Sequence, residues 1–374
     1  MRKKAMAILL KQMDARKRYE EWKGVRVIVK PIPEGGEPGA MDPRGYRFAK
    51  QLLVLWRVLF RNQETTNPYQ HIQPYRKLFH IRKSRRHYVR GIRASCVRIP
   101  RNDGSALSGV LYRNQQADAV PLIVYYHGGG FFGGGLHVVD ALCRQMAKTT
   151  GCAVLSVDYR LCPEHSYACL LEDCWSAVKW AHSQSQKFRV DADRLIVAGD
   201  SAGGTLAAAA ALRDRDEHTE MIKAQILLYP VVNAPGNATE FYSGSTLNNY
   251  RIAPQHAEVL RNIIQKMTDM IAQMHDGAQL ETVFLQDSIR MDSIYLAPLL
   301  DDFHDLPPTF LAFGEHDMLA AEDMAYAQRA LKAGASCKTV IYEGMLHGFA
   351  DQIGYFPQAE DCVQEIADWL RFVL

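Results

Sequence analysis

Short apolar runs recur along the chain, and the segments between them are of mixed polarity. Four runs have the length and composition of buried β-strands: Pro121–Tyr126, Arg194–Ala198, Leu306–Phe313 and Cys337–Tyr342. The segment Glu322–Ala333, which separates the last two runs, has apolar residues at helical spacing and is followed by Gly334. Strands that alternate with helices in this way predict an α/β fold built on an open, mostly parallel sheet.

The pentapeptide Gly199-Asp-Ser-Ala-Gly203 lies between one of these runs and an alanine-rich segment, 204–212, of high helix propensity. A strand, a tight turn and a helix in this order predict a nucleophile elbow with Ser201 at its tip. The glycines permit a sharp turn, and the start of the helix favours negative charge beside the serine. An ordinary strand-to-helix turn is the alternative, and the two flanking segments favour the nucleophile.

A run of glycines, His127-Gly-Gly-Gly130, directly follows the strand predicted at Pro121–Tyr126. Backbone amides in such a run are unobstructed and can converge on one oxygen, as an oxyanion hole requires. We therefore expect Gly128 and Gly129 to donate to an oxyanion, with Ala202 as a third donor. The alternatives are a flexible loop or a phosphate-binding loop. The latter needs a Lys-Ser/Thr pair at the start of the next helix, and Leu136-His-Val138 has none.

Two further loops follow predicted strands, and they carry Asp317 and His347. The carboxyl ends of parallel strands lie at one edge of a sheet, where sites are commonly built. A serine nucleophile needs a base, and the base needs a carboxylate that orients it. Ser201, Asp317 and His347 occur in the order that α/β-hydrolases use.

Other residues compete for the roles of acid and base. Asp323 or Glu315 could replace Asp317, which is favoured because it follows a predicted strand end. Among the thirteen histidines, three others lie near candidate motifs: His127, His304 and His316. His127 is expected to hydrogen-bond nearby backbone and shape the glycine loop. His304 is expected to be a solvated loop residue, and His316 to point away from its neighbour Asp317.

Five spaced motifs together resemble the hormone-sensitive-lipase-like family of α/β-hydrolase esterases, from about Val110 to Phe349. They are His127-Gly-Gly-Gly-Phe131, Asp158-Tyr-Arg-Leu161 with Pro163-Glu164, Gly199-Asp-Ser-Ala-Gly203, Asp317-Met-Leu319 with Asp323, and His347-Gly-Phe349. The chain departs from the family pattern at Met318 and at Ala297, where the family has a serine. Arg160 is interpreted as a structural arginine at a strand end.

The resemblance implies an α/β-hydrolase fold with a helical cap, and a serine carboxylesterase that uses neither metal nor cofactor. The family's site residues correspond to a triad of Ser201, Asp317 and His347 and to oxyanion donors at Gly128, Gly129 and Ala202. The implied substrates are small-molecule acyl esters of short to medium chain length, hydrolysed through an acyl-enzyme. An amidase or peptidase with the same triad is an alternative. A ligand-binding receptor of this fold is another, although loss of the histidine would be expected in a receptor.

The composition argues against nucleic-acid binding and a zinc site, and it indicates a cellular compartment. The 374-residue chain is 48% hydrophobic with a formal net charge of +3, so nucleic-acid binding is not indicated. Its eight cysteines lack the spacing of a zinc site and are interpreted as free thiols of a reducing compartment. No targeting or membrane-spanning segment is expected. We predict a cytoplasmic protein for which membrane contact is not expected and homodimer formation is left open.

Two segments are predicted to form a cap over the site. The first is a helical segment, 1–95, with a helical pattern over Met6–Trp22 and an apolar helix over Phe48–Phe60. The second is an insertion, 241–285, that is helical from Pro254 to Glu281 and has methionines at 267, 270 and 274. Residues 96–240 and 286–374 are predicted to form the catalytic domain. Membrane-surface binding is the alternative role for the apolar helix and for the basic cluster at 82–93.

Overall fold

The computed structural model describes residues 3–22, 24–61, 68–80, 89–101, 103–115, 119–233, 251–274 and 280–374. The strands in these ranges are β1 (Arg18–Trp22), β2 (Val25–Lys30), β3 (Arg93–Pro100), β4 (Ala106–Arg113), β5 (Val120–Tyr126), β6 (Ala153–Asp158), β7 (Val190–Asp200), β8 (Ile222–Leu228), β9 (Thr309–Gly314) and β10 (Cys337–Tyr342). The α-helices are α1 (Lys3–Ala15), α2 (Pro43–Leu59), α3 (Pro68–Phe79), α4 (Leu136–Thr150), α5 (Tyr167–Ser183), α6 (Ser185–Phe188), α7 (Ala202–Asp216), α8 (Ala257–Met274), α9 (Ala320–Lys332) and α10 (Pro357–Val373).

The strands form one sheet in the order β1-β2-β10-β9-β8-β7-β5-β6-β4-β3. The seven strands from β2 to β6 in this order pair in parallel, whereas β1, β4 and β3 are antiparallel to their neighbours. The α/β fold with a mostly parallel sheet is therefore confirmed. The carboxyl ends of β5, β7, β9 and β10 lie at the same edge of this sheet.

Helices flank the sheet and bury its central strands. Helix α7 packs on β7 and β8, and α4 packs against β6 and α10. Strands β5, β7 and β8 are buried along most of their length, which explains why they read as continuous apolar runs. The alanines of α7 are almost all buried, because small side chains let this helix lie close to the sheet. Among the described residues, no helix is long and apolar enough to cross a bilayer.

The first 95 residues differ from the helical segment that the sequence predicts. The helix expected over Met6–Trp22 ends at Ala15, and Arg18–Trp22 forms strand β1. Strand β1 pairs with β2, which in turn pairs with β10, and this pairing outweighs the local helical pattern. Buried Lys30 at the end of β2 forms ion pairs with Asp361 and Glu365 of α10, at 3.1 and 2.7 Å. Strands β1 and β2 thus belong to the central sheet.

The remaining predicted cap segments are helical where the structure describes them. Helix α2 includes the predicted apolar helix except for Phe60, which follows its last residue, and it packs against α8 of the predicted insertion. Helix α8 ends at Met274, and a π-helical turn follows at Leu280–Leu285. Residues 241–250 and 275–279, and most of the basic cluster at 82–93, lie outside the described residues. The division into catalytic domain and cap stays a prediction.

Candidate active site

Ser201 occupies the sharp turn between β7 and α7, with a backbone φ of 53°. This left-handed conformation is unusual for a residue with a side chain and marks a strained turn. The Ser201 amide donates to the carbonyl of Leu228 at 2.9 Å, which holds the turn against β8. A Cβ atom at Gly203 would lie 2.1 Å from the carbonyl oxygen of Tyr126, and one at Gly199 equally close to the carbonyl of Gly203. Both glycines of the pentapeptide are therefore required by contact between backbones.

Ser201, His347 and Asp317 form a continuous chain of contacts. The Nε2 atom of His347 lies 2.9 Å from Ser201 Oγ, and its Nδ1 lies 2.9 Å from Oδ2 of Asp317. Because a carboxylate only accepts hydrogen bonds, Nδ1 donates to Asp317 and Nε2 is left to accept from the serine hydroxyl. Asp317 is fully buried, and one of its oxygens also accepts the amide of Leu319 at 2.9 Å. The arrangement can move a proton from Ser201 to His347.

The alternative acids lie elsewhere. Glu315 accepts the amide of Gly344 at 2.9 Å, and no contact between it and His347 is present in the described part of the chain. Asp323 is completely buried, and its carboxyl oxygens have no hydrogen-bond partner among the described residues. Burial holds the pKa of Asp323 well above its usual range. Of the three candidate acids, the structure places Asp317 against the imidazole.

The alternative bases also have other surroundings. The Nδ1 atom of His127 lies 2.9 Å from the carbonyl oxygen of Gly128, and its ring stacks on Tyr159 with centroids 4.3 Å apart. Burial lowers the pKa of His127 to about 4, so this ring stays neutral and shapes the glycine loop, as predicted. His316 is buried beside Glu315, and His304 is exposed beside Asp302. Arg160 is bound to Asp173 at 2.7 Å, as expected of a structural arginine.

The glycine loop differs from the prediction at one position. The amide of Gly128 donates to Oδ1 of Asp200 at 2.9 Å, so it is not free to donate to an oxyanion and the expectation for Gly128 is wrong. The amides of Gly129, Gly130 and Ala202 have no hydrogen-bond partner among the described residues. Gly129 and Gly130 line the same cavity as Ser201. Sequence reasoning missed Gly130 because only the direction of the Asp200 side chain shows which amides are free.

Asp200 connects the nucleophile turn to the glycine loop. In addition to the Gly128 amide, its Oδ1 accepts the hydroxyl of Tyr125 at 2.8 Å. Burial raises the pKa of Asp200 to about 6, and the two hydrogen bonds act in the opposite direction because they stabilise the carboxylate. The residue next to Ser201 thereby fixes the position of a loop that approaches from a different strand.

The chain is similar to known proteins over the part that contains this site. A family described as "alpha/beta hydrolase fold" matches residues 123–351, which include Ser201, Asp317 and His347. The chain belongs to the α/β-hydrolase fold family. It is 31% identical over 261 residues to Esterase LipI of Mycobacterium tuberculosis, covering 69% of this chain and 74% of that protein. It is 32% identical over 248 residues to Carboxylesterase NlhH of the same species, covering 65% of this chain and 71% of that protein.

Solved α/β-hydrolase structures support the same assignment. An esterase of Pyrobaculum calidifontis superposes with a TM-score of 0.70 at 27% identity, covering 89% of this chain and all of that one. The carboxylesterase EstE1, cloned from a metagenomic library, superposes with a TM-score of 0.63 at 28% identity, covering 88% of this chain and 97% of that one. The resemblance to the hormone-sensitive-lipase-like family is confirmed.

The active-site cavity of this α/β-hydrolase has a volume of about 160 Å³. Ser201 and His347 lie on its wall, and helices α2, α3 and α8 supply much of the remaining wall. The apolar side chains that line it include Phe48, Trp56, Phe79, Val231, Met267 and Met270. Within the described ranges, no group of three or more His, Cys, Asp or Glu side chains could hold a metal ion. The cavity suits an apolar group attached to a reactive carbonyl.

Proposed function

We propose that this protein is a serine carboxylesterase that hydrolyses acyl esters of short to medium chain length through an acyl-enzyme intermediate. The observation that carries this proposal is the unbroken contact from Ser201 Oγ through His347 to buried Asp317, at 2.9 Å for each step. The names of the relatives, esterase and carboxylesterase, support the same chemistry.

In the proposed reaction Ser201 Oγ attacks the ester carbonyl while its proton passes to Nε2 of His347. Asp317 holds the imidazole in the required tautomer and stabilises the imidazolium. The carbonyl oxygen becomes an oxyanion that accepts hydrogen bonds from the amides of Gly129, Gly130 and Ala202. The alcohol leaves with the proton from His347. Water then attacks the acyl-enzyme by the same steps, releasing the acid and restoring Ser201.

The size and polarity of the cavity support the expected substrate range. Pockets for drug-sized ligands have volumes of about 300–1,000 Å³, so a cavity of about 160 Å³ favours short acyl groups. We infer that α2 and α8, which pack against each other and carry Trp56 and Met267 to the cavity wall, form the cap that shelters the acyl group from water.

The proposal is tested by hydrolysis of p-nitrophenyl acetate, butyrate, octanoate and palmitate. The wild type is expected to hydrolyse the short chains fastest, and Ser201→Ala to lose at least about 10³-fold in kcat. Ser183→Ala, which removes an exposed hydroxyl from α5, is the matched control and should retain full activity. No turnover of the whole series by folded wild type would overturn the proposal. Faster turnover of a matched anilide than of the phenyl ester would favour an amidase.

We further propose a cytoplasmic location. All eight cysteines are free thiols, and five of them are buried: Cys143, Cys152, Cys162, Cys174 and Cys362. Unpaired cysteines in this number are typical of a reducing compartment.

A further inference from the structure

Buried polar residues that take no direct part in the proposed mechanism also line the active-site cavity, among them Asp351 and Tyr229 beside Gln352 and Asp200. Asp351 is 8% exposed and Tyr229 is fully buried. Both lie on the wall of the cavity that also holds Ser201 and His347. Neither the Tyr229 hydroxyl nor Oδ1 of Asp351 has a hydrogen-bond partner among the described residues.

The fold holds both groups close to the reacting atoms. Tyr229 directly follows β8, and its amide donates to the carbonyl of Ala312 at 2.7 Å. Its ring packs edge-on against His347, with centroids 4.8 Å apart, and against Phe349 at 5.5 Å. Asp351 follows in the same loop as His347, four positions further along the chain. Ser201, Tyr229 and Asp351 therefore line one cavity, and the Tyr229 ring contacts the catalytic imidazole.

A buried hydroxyl or carboxyl without a partner is unfavourable, and native proteins pair nearly all such groups. The nearby polar group Asp200 already accepts hydrogen bonds from Tyr125 and Gly128. The walls formed by α2, α3 and α8 are apolar where they face the cavity. Because no described side chain pairs with the Tyr229 hydroxyl or with Oδ1 of Asp351, a group that occupies the cavity is the available partner.

The ionisation of Asp351 indicates which chemical group would fit. Burial, together with the negative charge of Asp200, raises the pKa of Asp351 well above its usual range. Asp200 keeps its charge more readily because two donors stabilise it, so Asp351 is the neutral member of the pair. A neutral carboxyl both donates and accepts, as the tyrosine hydroxyl does. A hydroxyl of the ligand has the same two capacities and so complements either group.

We propose that Asp351 and Tyr229 form a subsite that binds a hydroxyl group of the ester substrate, so that hydroxylated esters are preferred over their unsubstituted counterparts. The proposal rests on the proposed esterase function. The hydroxyl could belong to the acyl chain or to the alcohol, and the two cases need separate substrate pairs.

The test compares kcat/KM within two such pairs. The acyl pair is the p-nitrophenyl esters of 3-hydroxybutyrate and butyrate, and the alcohol pair is 2-hydroxyethyl butyrate and propyl butyrate. The wild type is expected to prefer the hydroxylated ester by roughly tenfold in one pair. Asp351→Leu and Tyr229→Phe should each abolish most of this preference, and Asp351→Asn should retain part of it. Met318→Leu, at another position on the cavity wall, is the matched control and should keep the ratio.

Equal rates within both pairs for the wild type would overturn the subsite. Retention of the preference by both Asp351→Leu and Tyr229→Phe would also overturn it, and would leave an internal water as the partner of the two groups. Calorimetric binding of the same esters to Ser201→Ala separates this proposal from the esterase function. A hydroxyl-dependent gain in affinity supports the subsite even without turnover, and equal affinities contradict it.

Discussion

Replacing Asp200 by alanine should impair both stability and catalysis. Its carboxylate accepts two hydrogen bonds, from the Gly128 amide at 2.9 Å and from the Tyr125 hydroxyl at 2.8 Å. Asp200→Ala leaves both donors unpaired in a buried place, and each unpaired donor costs about 1–3 kcal/mol. The free energy of unfolding should therefore fall by about 2–6 kcal/mol, a large part of the total for an ordinary domain.

The catalytic effect follows from the position of the glycine loop. The amides of Gly129 and Gly130 come directly after Gly128, so release of Gly128 moves the proposed oxyanion donors. A displacement of about 1 Å can cost about 10²-fold in rate. Because these donors act mainly on the transition state, kcat should fall by about this factor while KM changes little. Asp200→Asn keeps an acceptor for the Gly128 amide but removes the charge, so its kcat should fall less than that of Asp200→Ala.

The effects of Asp200→Ala on stability and catalysis are tested by three measurements. These are urea unfolding, and kcat and KM for p-nitrophenyl butyrate at a temperature where each variant is folded. Asp193→Ala, an exposed carboxylate on the same strand, is the control and should resemble the wild type. A folded Asp200→Ala enzyme with wild-type kcat would refute the role given to the Gly128 hydrogen bond. Equal decreases of kcat in Asp200→Ala and Asp200→Asn would show that the charge of Asp200 matters and its hydrogen bond to Gly128 does not.

Three further predictions concern close packing, pH and chain length. Gly203→Ala places a Cβ atom 2.1 Å from the Tyr126 carbonyl oxygen and should abolish soluble folded protein. Gly45→Ala, whose nearest neighbour in the described part of the chain lies 3.4 Å away, should express and fold normally. Burial raises the pKa of Glu315 from 4.5 to about 7. Between these two pH values the folded state keeps a proton that the unfolded state has released, so the free energy of unfolding falls as the pH rises from 4.5 to about 7. Glu315→Gln should remove this pH dependence. In urea unfolding from pH 4 to 8, the free energy of unfolding of the variant should rise relative to that of the wild type by up to about 3 kcal/mol. A difference between the two proteins that does not change with pH would contradict the assignment. Met267→Ala enlarges the cavity at a half-buried position. The ratio of kcat/KM for p-nitrophenyl octanoate to that for the acetate should therefore rise severalfold. An unchanged ratio would show that Met267 does not contact the acyl chain.

The strands and loops that carry the site could be predicted because short-range rules determine them. Ser201, Asp317 and His347 each follow an apolar run, and the parallel sheet brings the ends of such runs to one edge. Strand β1 could not be predicted, because its charged residues resemble a helical surface and only its pairing with β2 makes it a strand. Local pattern carries no information about that partner.

The polar contacts within the site were also beyond the sequence. Gly128 and Asp200 are 72 positions apart, and their hydrogen bond depends on the direction in which one carboxylate turns. The same holds for Asp351 and Tyr229, because the sequence does not show that the Tyr229 hydroxyl and Oδ1 of Asp351 are buried with no partner among the described residues. The order of strands and helices predicts the glycine loop, but only the direction of the Asp200 side chain shows that the Gly128 amide is already bonded.

The pairing of β2 with β10 has a consequence for biosynthesis. Lys30 and its partner Asp361 are 331 positions apart, so at about 5–20 residues per second the ribosome needs roughly 20–60 s to supply the second after the first. During this interval strands β1 and β2 lack their partner β10, and the charges of Arg18, Glu20 and Glu21 discourage pairing with other nascent chains. The loop that carries His347 is bound through the amide of Glu343 to the carbonyl of Lys30 at 2.9 Å. Hydrolytic activity should therefore appear only after translation of the last strand, as a late step in the maturation of each molecule.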